Sequence, residues 1–150
     1  MFNIVNVQLA VTTLLKARSP HTVIDQLIAP SRRELSELCN SIPRYRDKGE
    51  WDFIPDYLAI VSGHRGEKEL IIVNCSKHTL GLTELGLLHV YAKIAKPLFA
   101  LQLVPTGLSR DLYSLLLDPD IADRLLEYGG AHRIAISSWD KGSNSFTELF

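Results

Sequence analysis

The sequence predicts an α/β fold, a mixed β-sheet flanked by helices, and three observations carry that prediction. Two runs rich in apolar and β-branched residues, Tyr57–Ser62 and residues 69–75, are separated by the reversal GHRGEK, as in a hairpin. A third apolar run, residues 97–105, is bracketed by Pro97 and Pro105 and does not alternate, as expected of an interior strand covered on both faces. Segments with helical spacing precede, separate and follow these runs. At 150 residues, 46% hydrophobic and 22% charged, the chain has the composition of one globular domain. A chain of this length hides roughly 68–70% of the surface its unfolded form exposes.

The elements follow in order. Residues 2–15 satisfy both periods, but Ile4, Val7, Val11 and Leu14 favour a helix. Residues 22–28 predict a second short helical piece, ended by Pro30. Ser31 and Glu34 have capping-box spacing ahead of Leu35, Leu38 and Ile42, which line one helical face until Pro43. Residues 44–52, charged and containing Gly49, read as an exposed connection into the hairpin. Leu82–Ala95 carries two apolar stripes, Leu85, Leu88 and Ala92 on one and Leu87, Tyr91 and Ile94 on the other, as in a helix buried on two sides. Gly107 and Ser109 open a Leu-rich helix. Asp118 before Pro119 opens another, with Ile121, Leu125 and Tyr128 in register until Gly129 and Gly130 end it. A last strand, residues 133–138, points Ile134 and Ile136 inward before a polar tail from Asp140.

Charge and cysteine content narrow the functional classes. Sixteen Lys and Arg against seventeen Asp and Glu give a net charge of -1, so there is no global positive field for nucleic acid or anionic membrane. Cys39 and Cys75 form neither a disulfide framework nor a CxxC metal pair, which fits a reducing compartment. Asn3, Asn6 and Gln8 interrupt the N-terminal apolar stretch and no basic region precedes it, so neither a signal peptide nor a membrane span is expected, and a cytoplasmic location is. The glycines form neither GxGxxG nor GxxxxGK[ST], which disfavours a nucleotide cofactor, and the histidines lack HxH or HExxH spacing for zinc.

The stretch IPDYLAIVSGHRGEKELIIVNCSKHTL carries the most chemistry. Pro55 and Asp56 enter the first hairpin strand; Asn74, Cys75, Ser76 and Lys77 leave the second. This arrangement resembles the PD-(D/E)xK (restriction-endonuclease-like) nuclease superfamily, in which a Pro-Asp pair precedes a strand and the next strand ends with an acid, any residue, and a lysine. The resemblance spans residues 31–138, leaving a helical N-terminal extension and a polar C-terminal tail. It implies a restriction-endonuclease-like core and phosphodiester chemistry on Mg²⁺ held by carboxylates, with a lysine orienting water and offsetting developing charge.

Carried over residue by residue, the resemblance makes Asp56 the metal ligand. The second acid does not carry over, because Asn74 stands in its place, and Ser76 stands in place of the lysine. Lys77 lies one step on, which on a strand faces the other way. Two unit charges at about 4 Å interact by roughly 4 kcal/mol at an effective dielectric near 20, so one missing carboxylate is a large loss beside a dication. Glu34, on the helix before the hairpin, offers a substitute acid, and Lys77 regains the site if the chain bends after Cys75. Asp56 and Asn74 also have plain readings, as a turn acid and as a residue satisfying loop amides.

Arg32, Arg33, Arg44, Arg46 and Lys48, interleaved with Tyr45 and Trp51, form a local basic patch for nucleic acid, diluted by Asp47, Glu50 and Asp52. Leu115, Leu116, Leu117, Leu125 and Leu126 exceed what one helix face buries, which points to a homodimer. Three functional readings stay open: a nuclease-like domain with an eroded metal site that associates with nucleic acid or assembles without efficient cleavage; an active Mg²⁺-dependent nuclease built from Asp56, Glu34, Asn74 and Lys77; and an interaction protein on an unrelated α/β scaffold.

Overall fold

A computed structural model describes residues 2–45, 53–130 and 132–150. The elements are α1 (Ile4–Arg18), β1 (Val23–Ile28), α2 (Arg32–Ser41), a single 3₁₀ turn (Pro43–Tyr45), β2 (Tyr57–Ser62), β3 (Lys68–Cys75), α3 (Leu82–Ala95), β4 (Phe99–Val104), α4 (Arg110–Leu116), α5 (Pro119–Leu126), β5 (Glu127–Gly129), β6 (His132–Arg133), β7 (Ala135–Asp140) and β8 (Ser145–Glu148). Six strands form a mixed sheet in the order β1-β2-β3-β4-β7-β8, while β5 and β6 pair separately. β1, β2 and β3 make an antiparallel meander, β4 lies parallel to β3, β7 parallel to β4, and β8 returns antiparallel.

The sheet separates two apolar clusters. Ala59, Val61, Ile71, Val73, Leu101, Leu103 and Ala135 on one face pack with Val7, Ala10, Val11, Leu14 and Leu15 of α1. Leu58, Leu70, Ile72, Ala100, Val104 and Ile136 on the other pack beneath α2 to α5. β2, β3 and β4 are therefore apolar on both faces, which accounts for the unbroken hydrophobic runs. The parallel pairs need crossovers, supplied by α3 and by α4 with α5.

Local chemistry sets the helix ends. Asn3 caps α1 through a reciprocal box with Asn6, Ser31 caps α2 with Glu34, and Asp118 precedes Pro119 at the start of α5. Arg44 reaches from the 3₁₀ turn to the Lys96 carbonyl at the end of α3 and pairs with Glu69, while the buried Tyr45 hydroxyl donates to Glu69 at 2.8 Å and accepts from the Leu70 N–H. Tyr45 is thus a core residue and Arg44 a clamp. Arg46, Lys48 and Trp51 of the proposed basic patch, and Asp47, Glu50 and Asp52 beside them, lie outside the described residues.

Four expectations are corrected. Within residues 22–28 the chain forms edge strand β1 (Val23–Ile28), not a helix; a bulge at Asp25 breaks the alternation, so that Ile24 and Leu27 pack against the same cluster. The region from Asp140 is not only a tail, since β8 pairs with β7 and its Phe146 packs on Trp139 and Phe2. Helix α5 ends at Leu126, and Tyr128 lies in β5, buried, with its hydroxyl donating to the Pro97 carbonyl. Of the five leucines expected to reach a partner, Leu116 and Leu126 are buried in the chain's own core and Leu115 and Leu125 are half-buried, while Leu117 is exposed. A further exposed stripe lies on α3, where Leu87, Val90 and Ile94 are about half exposed; only the stripe of Leu85, Leu88 and Ala92 is buried, so this helix is not covered on two sides.

Candidate functional site

The apolar face beneath α3 changes character at one level. Val73 of β3 pairs with Tyr57 of β2, which sets Asp56 opposite Asn74 one step beyond the ladder. Asn74 in turn is the register partner of Gln102 on β4. Leu58, Ile72 and Ala100, two residues away along the three strands, belong to the core under the helices. Side chains two apart share a face, so Asp56, Asn74 and Gln102 form a transverse polar row across β2, β3 and β4 on that same face.

The row is held by specific bonds. The Asp56 N–H donates to Asn74 Oδ1 at 3.3 Å, and the Cys75 N–H donates to Asp56 Oδ2 at 2.8 Å. The two side chains thereby replace ladder bonds at the open end of the hairpin. The plain readings of Asp56 and Asn74 hold at this level, and the pair is also brought into direct contact. Cys75 belongs to the cluster on the opposite face; burial, reinforced by the Asp56 charge, pushes its thiol up to about 12, so it is no nucleophile at neutral pH.

A second layer adjoins the row. Gln102, 1% exposed, donates from Nε2 to Ser76 Oγ at 2.9 Å, and Ser76, also 1% exposed, donates to Glu84 Oε2 at 3.1 Å. Glu84 occupies the first turn of α3, whose N-cap Gly81 has no side chain to satisfy the helix amides. A carboxylate there is favoured by the helix dipole. The oxygen of the same amide, Gln102 Oε1, is buried and accepts no hydrogen bond from any described residue. An orphaned acceptor of this kind costs about 1–3 kcal/mol.

The remaining predicted residues stand apart. Glu34 Oε1 accepts from the Ser31 N–H at 3.1 Å, as the capping box requires, and its side chain lines a cleft of about 340 Å³ with Gln26, Ile28, Glu37, Leu38 and Ser41, none of them in the polar row. Lys77 is exposed in the bend after β3 and bonds to none of the described residues. Among the described residues, no three His, Cys, Asp or Glu side chains gather into a group able to hold a metal ion, so a cation here would need neutral oxygens as well. Sequence reasoning missed Gln102 and Glu84. The available signal was a lone polar residue in PLFALQLVP, a strand that otherwise buries every side chain between its prolines deeply or partly.

Comparison with known proteins finds no matching family model, no matching curated protein and no matching solved structure. Among the described residues no helix is long and apolar enough to cross a membrane.

Proposed function

We propose that the chain is a divergent restriction-endonuclease-like domain of the PD-(D/E)xK type, which associates with nucleic acid or serves as an assembly partner without efficient cleavage. The observation that supports this reading is the meander β1-β2-β3 followed by α3 and a parallel β4, with Asp56 at the entry of β2 bonded to the end of β3 beside Asn74. The hairpin β2-β3, the helix α3 and the strand β4 follow in the order the resemblance implies, while β1 precedes the residues it spans. Asn74 and Ser76 in the places of acid and lysine argue against rapid phosphodiester hydrolysis, because one metal-binding charge and the amine that would steer water are both replaced.

The test is a nuclease assay with Mg²⁺ and Mn²⁺ on single- and double-stranded DNA and RNA, comparing wild type, Asp56→Ala and Asn74→Glu, beside binding measured across salt concentrations. The reading expects binding that falls steeply with salt, little cleavage by wild type, and cleavage gained by Asn74→Glu and lost again when Asp56→Ala is added. Efficient wild-type cleavage abolished by Asp56→Ala would favour the active nuclease. Neither binding nor cleavage in any variant would leave the interaction protein, which the exposed Leu87, Val90 and Ile94 stripe favours and through which a homodimer would form.

A further inference from the structure

We propose that His21 and His64 together form a two-imidazole site for a borderline divalent metal of the Zn²⁺, Ni²⁺ or Cu²⁺ class. The pair stands beyond the end of β2 remote from Asp56, so it is independent of the preceding reading. The β1–β2 ladder ends with Val23 opposite Ser62. Two further steps along each chain set His21 opposite His64, and directly opposed residues bring their Cβ atoms to about 4.5–5.5 Å. The rings meet accordingly, with centroids 5.6 Å apart and planes tilted by 56°. Two imidazoles that share one ion at about 2.0–2.1 Å per nitrogen, at a tetrahedral or trigonal angle, have ring centres roughly 5–6 Å apart. The observed spacing is thus the one a common ion requires.

Both rings are exposed, and neither makes a hydrogen bond with a described residue. His89 and His132, by contrast, are engaged by the carbonyls of Glu127 and Leu98. Each member of the pair sits on a turn closed by its own bonds. The Thr22 N–H donates to the Ser19 carbonyl and the two hydroxyls lie 2.6 Å apart, while the Gly63 N–H donates to the Glu67 carbonyl across the other turn. Less freedom is therefore lost when a metal joins the rings. Imidazole nitrogen suits borderline ions, whereas Mg²⁺ and Ca²⁺ take oxygen. Among the described residues no third His, Cys, Asp or Glu completes a metal group, so water or an outside ligand would hold the remaining positions. An ion bound there would fasten the start of edge strand β1 to the turn between β2 and β3.

Full-length protein with ¹⁵N-labelled imidazoles is titrated with Zn²⁺, and the ring ¹⁵N resonances are followed by NMR. The His21 and His64 rings should shift together along one saturable curve, which a chelator reverses and excess Mg²⁺ does not. His21→Ala and His64→Ala should each weaken binding by about tenfold or more, since the remaining ring loses the advantage of acting with its neighbour. His78→Ala, at an exposed histidine outside the pair, should leave it unchanged. Both test substitutions fall on exposed turns, and native spectral dispersion in each variant checks that it folds. Rings that titrate with different constants, a His78 ring that responds at the same Zn²⁺ concentration, or no saturable shift up to roughly millimolar Zn²⁺ would overturn the proposal. So would a His21→Ala protein that binds through His64 as tightly as wild type.

Discussion

Replacing Gln102 by methionine should stabilise the protein, although it removes a buried hydrogen bond. Gln102→Met forfeits the bond from Nε2 to Ser76 Oγ, worth about 1 kcal/mol net. Ser76 keeps its own proton satisfied, because it still donates to Glu84. Against that loss, the substitution removes the unpaired Oε1, whose burial costs about 1–3 kcal/mol, and the thioether fills nearly the same volume in a site 1% exposed. The balance is a gain of about 1 kcal/mol. The urea midpoint should rise by roughly 0.5 M, and the thermal midpoint by about 2–4 °C. A midpoint lowered by a similar amount, with unchanged urea dependence, would mean instead that Oε1 has a strong partner in the folded protein. A stabilising outcome would identify Gln102 as a residue kept at the expense of stability.

Other outcomes follow from burial and charge. Leu88→Ala on the covered stripe of α3 should lower stability by about 3 kcal/mol, whereas Leu87→Ala on the exposed stripe should stay within about 0.5 kcal/mol; comparable urea midpoints for the two would be inconsistent with the helix orientation. Tyr45→Phe should cost about 2 kcal/mol in the same assay, because it leaves the Leu70 N–H without the hydroxyl it bonds. Burial holds the thiols of Cys39 and Cys75 up to about 11 and about 12 against an ordinary 9.0. Raised folded values mean that their contribution is complete below pH 9 and is lost as pH climbs towards 12, so thermal midpoints should fall over that window and fall less in a Cys39→Ala, Cys75→Ala protein. Hydrogen bonds from Lys68 and Ser62 hold the Asp25 carboxyl below its ordinary 3.8, so NMR titration should find its midpoint there, and Lys68→Met should move it upward.

Much of the fold was legible because local and tertiary preferences agree. Tyr57–Ser62, Leu82–Ala95 and the capped starts of α2 and α5 are places where composition, period and end chemistry point the same way. β1 was not legible, since its bulge lets Ile24 and Leu27 face one way at a spacing that reads as helical. β8 was hidden because an edge strand needs few apolar residues: Phe146 packs among Phe2 and Trp139, and the Glu148–Arg18 ion pair ties its end to α1. The α3 stripes are chemically alike, and only packing decides which is covered. For the site, the contact between Asp56 and Asn74 followed from the hairpin register. Gln102 and Glu84 join it only through a parallel pairing that links residues 28 apart in sequence, which no local pattern encodes.

The bulge at Asp25 also governs what the sheet does to other molecules. An open margin of regular peptide groups invites a further strand from a neighbouring chain, the first step towards aggregation. On β1 the supernumerary residue throws the pattern of donors and acceptors out of step, and its carboxylate is gripped by Lys68, which fixes the irregularity in place. Deleting that single residue would straighten the border into a template, and the penalty would be felt as poor solubility before it was felt as lost stability.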